Sequence, residues 1–298
     1  MKKLLMNSLM LLAVLTAQGQ TKVAPTLQKG MTKTYETTTV MQAPGQNAVT
    51  FKEEDTYTVS AANSDGYTID IVSNNITSDA AADNIMGQVM TAANQLYAGL
   101  KVSVATDKSG KPMKIANYAE LKPQLDAGAD KLLAVLLEKI PALQDAMGKE
   151  QLKSVIMKMA SEENLLNQVK TSTSVLTLNG KTITTAMSES YVNEKKLKMK
   201  RMYFVRGQTI TSNASLDMTK DELKALIIAE VEKDAPQQAD MMKQNIDLLM
   251  DSGQLKMDIT ENATFQLDTD GWIKGIKVES DINTIGQKVT TTTTVNQK

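Results

Sequence analysis

The sequence predicts an α+β protein in which curved antiparallel sheets carry helices packed on the concave face. Threonine-rich stretches alternate apolar and polar residues, with Tyr67, Ile69 and Ile71 sharing one face, as is typical of half-buried strands. Long stretches rich in Ala, Leu, Lys and Glu lie between them and predict amphipathic helices. Hydrophobic residues make up 42% of the 298 residues, enough for a packed core. Because a half-buried sheet needs one face covered, we expect the helices in its concavity.

The first nineteen residues, 1–19, have the pattern of a cleaved secretory signal. Lys2 and Lys3 form a short positive region, an apolar run follows, and Ala17 and Gly19 supply the small residues that signal peptidase requires. The apolar run is too short to span a membrane. We therefore expect cleavage after Gly19, no transmembrane anchor in the mature chain, and a secreted or periplasmic location in a bacterium.

The first half of the mature chain, 20–117, is predicted to consist of strands, a helix and a hairpin. The predicted strands cover 31–42, 49–61 and 66–76. Asn63 to Gly66 provides the turn between the last two of them. A helix is expected over 79–99, and a hairpin follows with its turn at 107–110.

Residues 118–170 are predicted to form a helical connector. Leu132, Leu133 and Leu136 belong to the apolar side of its first long helix, which Pro141 should end or kink. Ser161, followed by two acidic residues, is expected to cap the last short helix.

The second half, 171–298, is predicted to repeat the strand, helix and hairpin order. Asn179-Gly180 is a strong signal for a two-residue hairpin turn near its start. Thr219 and Glu222 have the spacing of a capping box, so a helix is expected to begin there. The chain should end in strands, the last of them over 289–295.

Both halves contain a hairpin with the spacing Asp-x-x-Gly-x-x-x-x-Ile, which suggests an internal duplication. The matched residues are Asp107, Gly110 and Ile115 in the first half and Asp268, Gly271 and Ile276 in the second. With this order of elements the chain resembles a class of uncharacterised secreted bacterial envelope proteins. In architecture only, it is also similar to the half-barrel carriers of lipids and lipoproteins in the periplasm. Neither resemblance implies particular catalytic or binding residues.

The residue types that the sequence lacks exclude several kinds of chemistry. There is no Cys and no His, which excludes disulfides, thiol nucleophiles, thiolate metal sites and every Ser-His pairing. We therefore expect no enzymatic activity, no metal and no cofactor. A formal charge of −1 at pH 7 does not favour a nucleic-acid partner.

Methionine, with 19 residues, is unusually abundant and suits adaptable apolar surfaces. One interpretation is a pocket between sheet and helices for an apolar small molecule or lipid. The residues expected to line it are Met86, Met90, Met241, Met242 and Met250. The alternative is that these methionines are ordinary residues of a closed hydrophobic core.

The sequence has one basic cluster, over 195–206, and it contains both arginines of the chain. Lysines alternate there with apolar residues, which predicts a strand with one solvated face. The alternative is an anion-binding face for lipid headgroups or acidic glycans. Its members would be Lys198, Lys200, Arg201 and Arg206.

Acidic residues in the predicted strands raise the alternative of a His-independent hydrolase, which needs two carboxylates converging in one cleft. The candidates are Glu36, Glu53, Glu54, Asp55, Glu189 and Glu261. Solvated strand faces are the preferred interpretation. Glu261 is the one expected to point inward, because it shares a face with Ile259 and Ala263.

The preferred function is an exported, non-enzymatic protein that binds an apolar or amphipathic ligand between sheet and helices. A further alternative is an envelope interaction module that pairs with a partner protein through a threonine-rich strand edge such as Thr290–Thr294. In that case, deleting 289–298 should abolish partner capture and leave the fold intact.

Overall fold

The computed structural model describes residues 20–81, 83–143, 148–193, 196–234, 243, 245–246, 248–249, 257–284 and 287–298. The strands are β1 Thr21–Lys22, β2 Thr32–Gln42, β3 Val49–Ala62, β4 Gly66–Ser78, β5 Lys101–Asp107, β6 Pro112–Ile115, β7 Thr182–Ile183, β8 Ser188–Val192, β9 Lys198–Arg206, β10 Thr209–Leu216, β11 Met257–Leu267, β12 Ile273–Thr284 and β13 Gln287–Gln297. The helices are α1 Ile85–Gln95, α2 Tyr118–Lys139, α3 Lys149–Met159, α4 Glu162–Gln168 and α5 Lys220–Asp234.

Eleven strands form one curved, open antiparallel sheet in the order β6-β5-β4-β3-β2-β13-β12-β11-β10-β9-β8. A separate two-stranded ribbon joins β1 to β7. The predicted α+β class with a curved antiparallel sheet is therefore confirmed. None of the helices described here has the length and apolar character needed to span a bilayer.

One face of the sheet, which we call the inner face, packs against helices α2, α3 and α4 to form the main core. Tyr35, Ile69 and Phe265 are buried sheet residues of this cluster, and Leu121 and Leu133 are buried residues of α2. Since every second strand residue points to this face, the strands show the predicted alternation of burial.

The two halves repeat one arrangement of elements: three strands, a helix, and two further strands. β2 to β6 enclose α1, β8 to β12 enclose α5, and β13 joins the two meanders through β12 and β2. The hairpin turns also match. Gly110 N donates to Asp107 O and Gly271 N to Asp268 O, at 3.0 and 3.1 Å. Both glycines have a left-handed backbone conformation, with φ of +80° and +81°.

The predicted helix starts at Thr219 and Ser161 are confirmed by their side-chain caps. Glu222 N donates to Thr219 Oγ1 at 3.2 Å, and Thr219 N donates back to Glu222 Oε2 at 2.9 Å. Asn164 N donates to Ser161 Oγ at 3.3 Å. These bonds involve residues only three apart, which is why the sequence sufficed to predict them.

The prediction of a hairpin turn at Asn179-Gly180 is wrong. Residues 171–181 form successive turns, and Val175, Leu176 and Leu178 among them are almost fully buried. The turn at Gly180 pairs instead with the N-terminal segment, since Gly180 N donates to Val23 O at 2.8 Å. A local turn signal does not specify which segment will supply the pairing partner.

The expectation that Thr290–Thr294 forms a free strand edge is also wrong. This stretch belongs to β13, which pairs with β12 on one side and β2 on the other. Deleting 289–298 would remove a central strand. The sheet edges are β6 and β8.

Candidate ligand-binding site

A cavity of about 420 Å³ lies between the inner face of the sheet and the segment from Asn167 to Lys181. β9 and β11 contribute the alternate residues Met199, Arg201, Ile259 and Glu261 to its floor. The cavity therefore combines apolar and charged surface.

Arg201 is the central charged group of the cavity and is only 6% exposed. One terminal nitrogen, Nη2, donates to Glu261 Oε1 at 2.9 Å, to Ser172 Oγ at 2.8 Å and to Tyr191 Oη at 2.9 Å. Its guanidinium carbon also lies 4.5 Å from the centroid of the Tyr191 ring. Burial acts against the cation, but the electrostatic effects of Tyr203 and then Glu261 outweigh it, so the pKa of Arg201 is raised. Arg201 is a permanent buried cation.

The strand register brings Arg201 and Glu261 together across β10. Ala214 of β10 pairs with Arg201 on one side and with Glu261 on the other. Because alanine is small, the long arginine side chain can cross this strand and reach the carboxylate. Ser172 Oγ donates to the same carboxylate oxygen at 2.5 Å and ties the buried segment 171–181 to the pair.

A second carboxylate, Glu189 of β8, is held beside this pair. Lys181 Nζ lies 3.0 Å from Glu189 Oε1, and Tyr203 Oη donates to the same oxygen at 2.6 Å. Arg201 Nη1 lies 3.8 Å from that oxygen. Burial alone would raise the pKa of Glu189, but the Tyr203 hydrogen bond and the Lys181 charge outweigh it and leave the pKa lowered. Glu189 therefore stays ionised at neutral pH.

The apolar end of the cavity is made by Met199, Ile259 and Ile282. These residues belong to a second hydrophobic cluster of the protein, which includes Leu223 of α5. The cavity thus runs from a charged centre toward the apolar surface beneath α5.

The structure separates the four residues of the predicted anion-binding face. Lys198, Lys200 and Arg206 are exposed on the outer face of β9, whereas Arg201 points inward and is buried. An anion-binding role for the three outer residues stays a prediction. Successive side chains of a strand point to opposite faces, and this alternation along β9 distinguishes Arg201 from the other three residues. Arg201 shares its face with Met199 and not with the lysines.

The predicted methionine pocket stays a prediction, because most of its residues lie outside the described part of the chain. Met90 is 37% exposed and lines a separate cavity of about 210 Å³ near Phe51. Met86 lies in α1. Met241, Met242 and Met250 lie outside the described residues. Among the described residues, Met199 is the methionine that lines the 420 Å³ cavity, and the sequence interpretation had assigned it only to a strand.

The acids expected on solvated strand faces are partly on the inner face. Glu261 points inward as predicted, but Glu189 also lines the 420 Å³ cavity, and Glu53 and Asp55 line a third cavity of about 360 Å³. For Glu189, Glu53 and Asp55, the interpretation as residues of solvated strand faces is therefore wrong. Among the described residues, no three carboxylates come together in a way that could hold a metal ion.

Glu53 and Asp55 are neighbours on the inner face of β3, and the pKa values of both are shifted. Burial, and next the charge of Asp55, raise the pKa of Glu53 to about 7. Burial also raises the pKa of Asp55, although Ser73 Oγ donates to its carboxylate at 2.5 Å and partly offsets the rise. Both groups therefore favour the protonated form more than ordinary carboxyls do.

Replacing Glu53 with Gln is expected to stabilise the protein at pH 8 and to leave its stability at pH 4 unchanged. A folded-state pKa raised from 4.5 to about 7 gives stability that is complete below pH 4.5 and lost as the pH rises through 7. The gain at pH 8 should reach up to about 3 kcal/mol. Urea unfolding at both pH values measures it.

The matched control is Glu54→Gln on the outer face of the same strand, where Glu54 pairs with Lys298. That exposed pair should contribute about 1 kcal/mol or less, and its loss should give no gain at pH 8. Equal behaviour of the two variants would contradict the burial of Glu53.

In comparisons with known proteins, no family model matches the chain, and no curated protein matches it. Among solved structures, the chain is similar to one described as "Lipid-protein interactions in lipovitellin", with 8% sequence identity and a TM-score of 0.41. The match covers 92% of this chain and 25% of that one, so this chain spans a quarter of that chain's length.

Proposed function

We propose that this protein is exported from a bacterial cell and binds an amphipathic ligand in the 420 Å³ cavity without transforming it. The observation that supports this proposal most directly is the two-ended lining of that cavity. Met199, Ile259 and Ile282 offer apolar surface at one end, and charged side chains surround the other. Small-molecule sites are concave, largely apolar and about 300–1,000 Å³ in volume, with a few fixed polar groups.

A non-catalytic role is favoured by how the polar groups at the centre of this cavity are used. Glu189 and Glu261 both contact Arg201 through one oxygen, and the lowered pKa of Glu189 makes it a poor proton donor. A general acid requires a raised pKa. These groups therefore suit a fixed binding surface better than proton transfer.

The competing proposal is a two-carboxylate hydrolase, and it would rest on Glu53 and Asp55 instead. Their raised pKa values in a separate cavity are the observation that favours it. The two proposals differ at Glu53. Glu53→Gln should leave ligand binding in the 420 Å³ cavity unchanged, whereas it would abolish hydrolysis by the pair.

Native mass spectrometry of the protein purified from its own host tests the binding proposal. We expect a hydrophobic small molecule to accompany the chain and a polypeptide mass that begins at Gln20, as cleavage after Gly19 requires. Ile282→Trp should remove the adduct, because the larger ring fills the apolar end of the cavity. The chain should still fold, since Ile282 is only partly buried.

Met202→Trp is the matched control, because it introduces the same ring on the outer face of β9, where Met202 is 40% exposed. It should keep the adduct. A natural protein that carries no adduct and binds no added single-chain amphiphile would overturn the proposed function. A mass that includes residues 1–19 would overturn the proposed export.

A further inference from the structure

Among the described residues, four cationic side chains line the 420 Å³ cavity, but only two carboxylates do. The cations are Lys111, Lys170, Lys181 and Arg201, and the carboxylates are Glu189 and Glu261. Because this described lining carries more positive than negative charge, it attracts anions.

Each of the two carboxylates already forms an ion pair with one of the cations. Glu261 accepts from Arg201 Nη2 at 2.9 Å, and Glu189 lies 3.0 Å from Lys181 Nζ. Both pairs are further fixed by hydroxyl groups, from Ser172 and Tyr203 respectively. Arg201 and Lys181 are therefore internally neutralised, and their charge is not available to a ligand.

Lys111 and Lys170 remain, and neither forms an ion pair within the described part of the chain. The two side chains are exposed at the rim of the cavity. Burial, and then the charge of Lys111, lower the pKa of Lys170. Because both side chains line the same cavity, their ammonium charges repel each other, and an anion placed between them would relieve this repulsion.

Both lysines are held on ordered backbone. Lys111 follows the first Asp-x-x-Gly turn, where its N donates to Asp107 Oδ1 at 3.1 Å and its carbonyl accepts from Asp107 N at 3.0 Å. Lys170 N donates to Asn167 O at 3.0 Å, and its carbonyl accepts from Thr177 Oγ1 at 2.9 Å. The fold therefore fixes the backbone positions from which the two side chains reach the cavity.

We propose that Lys111 and Lys170 bind the anionic head of a single-chain amphiphile, a carboxylate or a phosphate, whose chain lies against Met199, Ile259 and Ile282. This inference rests on the proposed function and adds the charge of the ligand and the residues that recognise it. Charge-assisted hydrogen bonds from ammonium groups to such heads are the stronger kind in proteins.

Titration calorimetry with three probes of equal chain length tests the proposal: hexadecanoate, hexadecyl phosphate and uncharged hexadecanol. At least one anionic probe should bind about tenfold or more tightly than hexadecanol. Lys111→Gln/Lys170→Gln should reduce that preference about tenfold and leave hexadecanol binding unchanged. Inorganic phosphate should bind far more weakly than hexadecyl phosphate, because it lacks the chain.

Lys108→Gln/Lys114→Gln is the matched control: it removes the same amount of charge, at exposed residues of the hairpin that carries Lys111, outside the cavity lining. It should keep the preference for anionic heads. Equal binding of hexadecanol and the anionic probes would overturn the head-group site while the proposed function stands. Failure of all three probes to bind would overturn both. Inorganic phosphate that binds as tightly as hexadecyl phosphate would show an anion site without an amphiphile.

Discussion

Replacing Trp272 with Ala is expected to lower the free energy of unfolding by about 3–5 kcal/mol, the range for deleting a large buried aromatic side chain. Trp272 is 1% exposed in the main core. Its Nε1 donates to Thr26 O at 3.1 Å, and Thr26 N donates to Asp270 O at 2.8 Å. The variant therefore loses core volume and the side-chain hydrogen bond to the N-terminal segment, while the backbone bond from Thr26 to Asp270 can remain.

Urea unfolding followed by circular dichroism measures this loss, and Trp272→Phe separates its two contributions. The phenyl ring keeps most of the volume but cannot donate to Thr26, so its loss should be clearly smaller than that of Ala. An Ala variant that unfolds within 1 kcal/mol of the natural protein would show that the burial of Trp272 is not what we describe.

Replacing Arg201 with Met is expected to lower the free energy of unfolding by about 3–5 kcal/mol at neutral pH, because Glu261 is left as an unpaired, largely buried charge. An isolated carboxylate is costly to keep out of water, and removing its cation takes away the compensating attraction. The loss caused by Arg201→Met should therefore be far larger than the loss of an exposed ion pair.

Arg201→Met/Glu261→Met should recover most of that loss, since apolar side chains of similar size often replace a buried ion pair without net destabilisation. Glu189 keeps its Lys181 and Tyr203 partners in this double variant. Urea unfolding of the single and double variants at pH 8 gives the comparison. If the double variant were as unstable at pH 8 as the single one, the unpaired Glu261 charge would not be the cause.

Much of the local structure could be predicted from the sequence because its causes lie within a few residues of one another. Alternation of threonine with apolar residues predicted the strands, and the capping pair Thr219 and Glu222 predicted the start of α5. The two Asp-x-x-Gly turns were predicted for the same reason: a left-handed glycine and an aspartate three residues before it define the bend locally.

The candidate site was only partly predictable. Arg201 and Glu261 were both singled out from the sequence, but not as a pair, because they are sixty residues apart and meet only through the register of β9, β10 and β11. Lys111 and Lys170 were not singled out at all. An isolated lysine in a turn or after a helix gives no sequence signal of what faces it.

The sequence alone therefore determined the fold class, most of the element order and the repeated hairpin, since these depend on side-chain periodicity and turn chemistry. The tertiary structure decided that β13 is a central strand, that residues 171–181 are buried turns, and that Arg201 points inward. Strand order and register depend on contacts between residues far apart in the chain, and no local pattern encodes which distant strand becomes the neighbour.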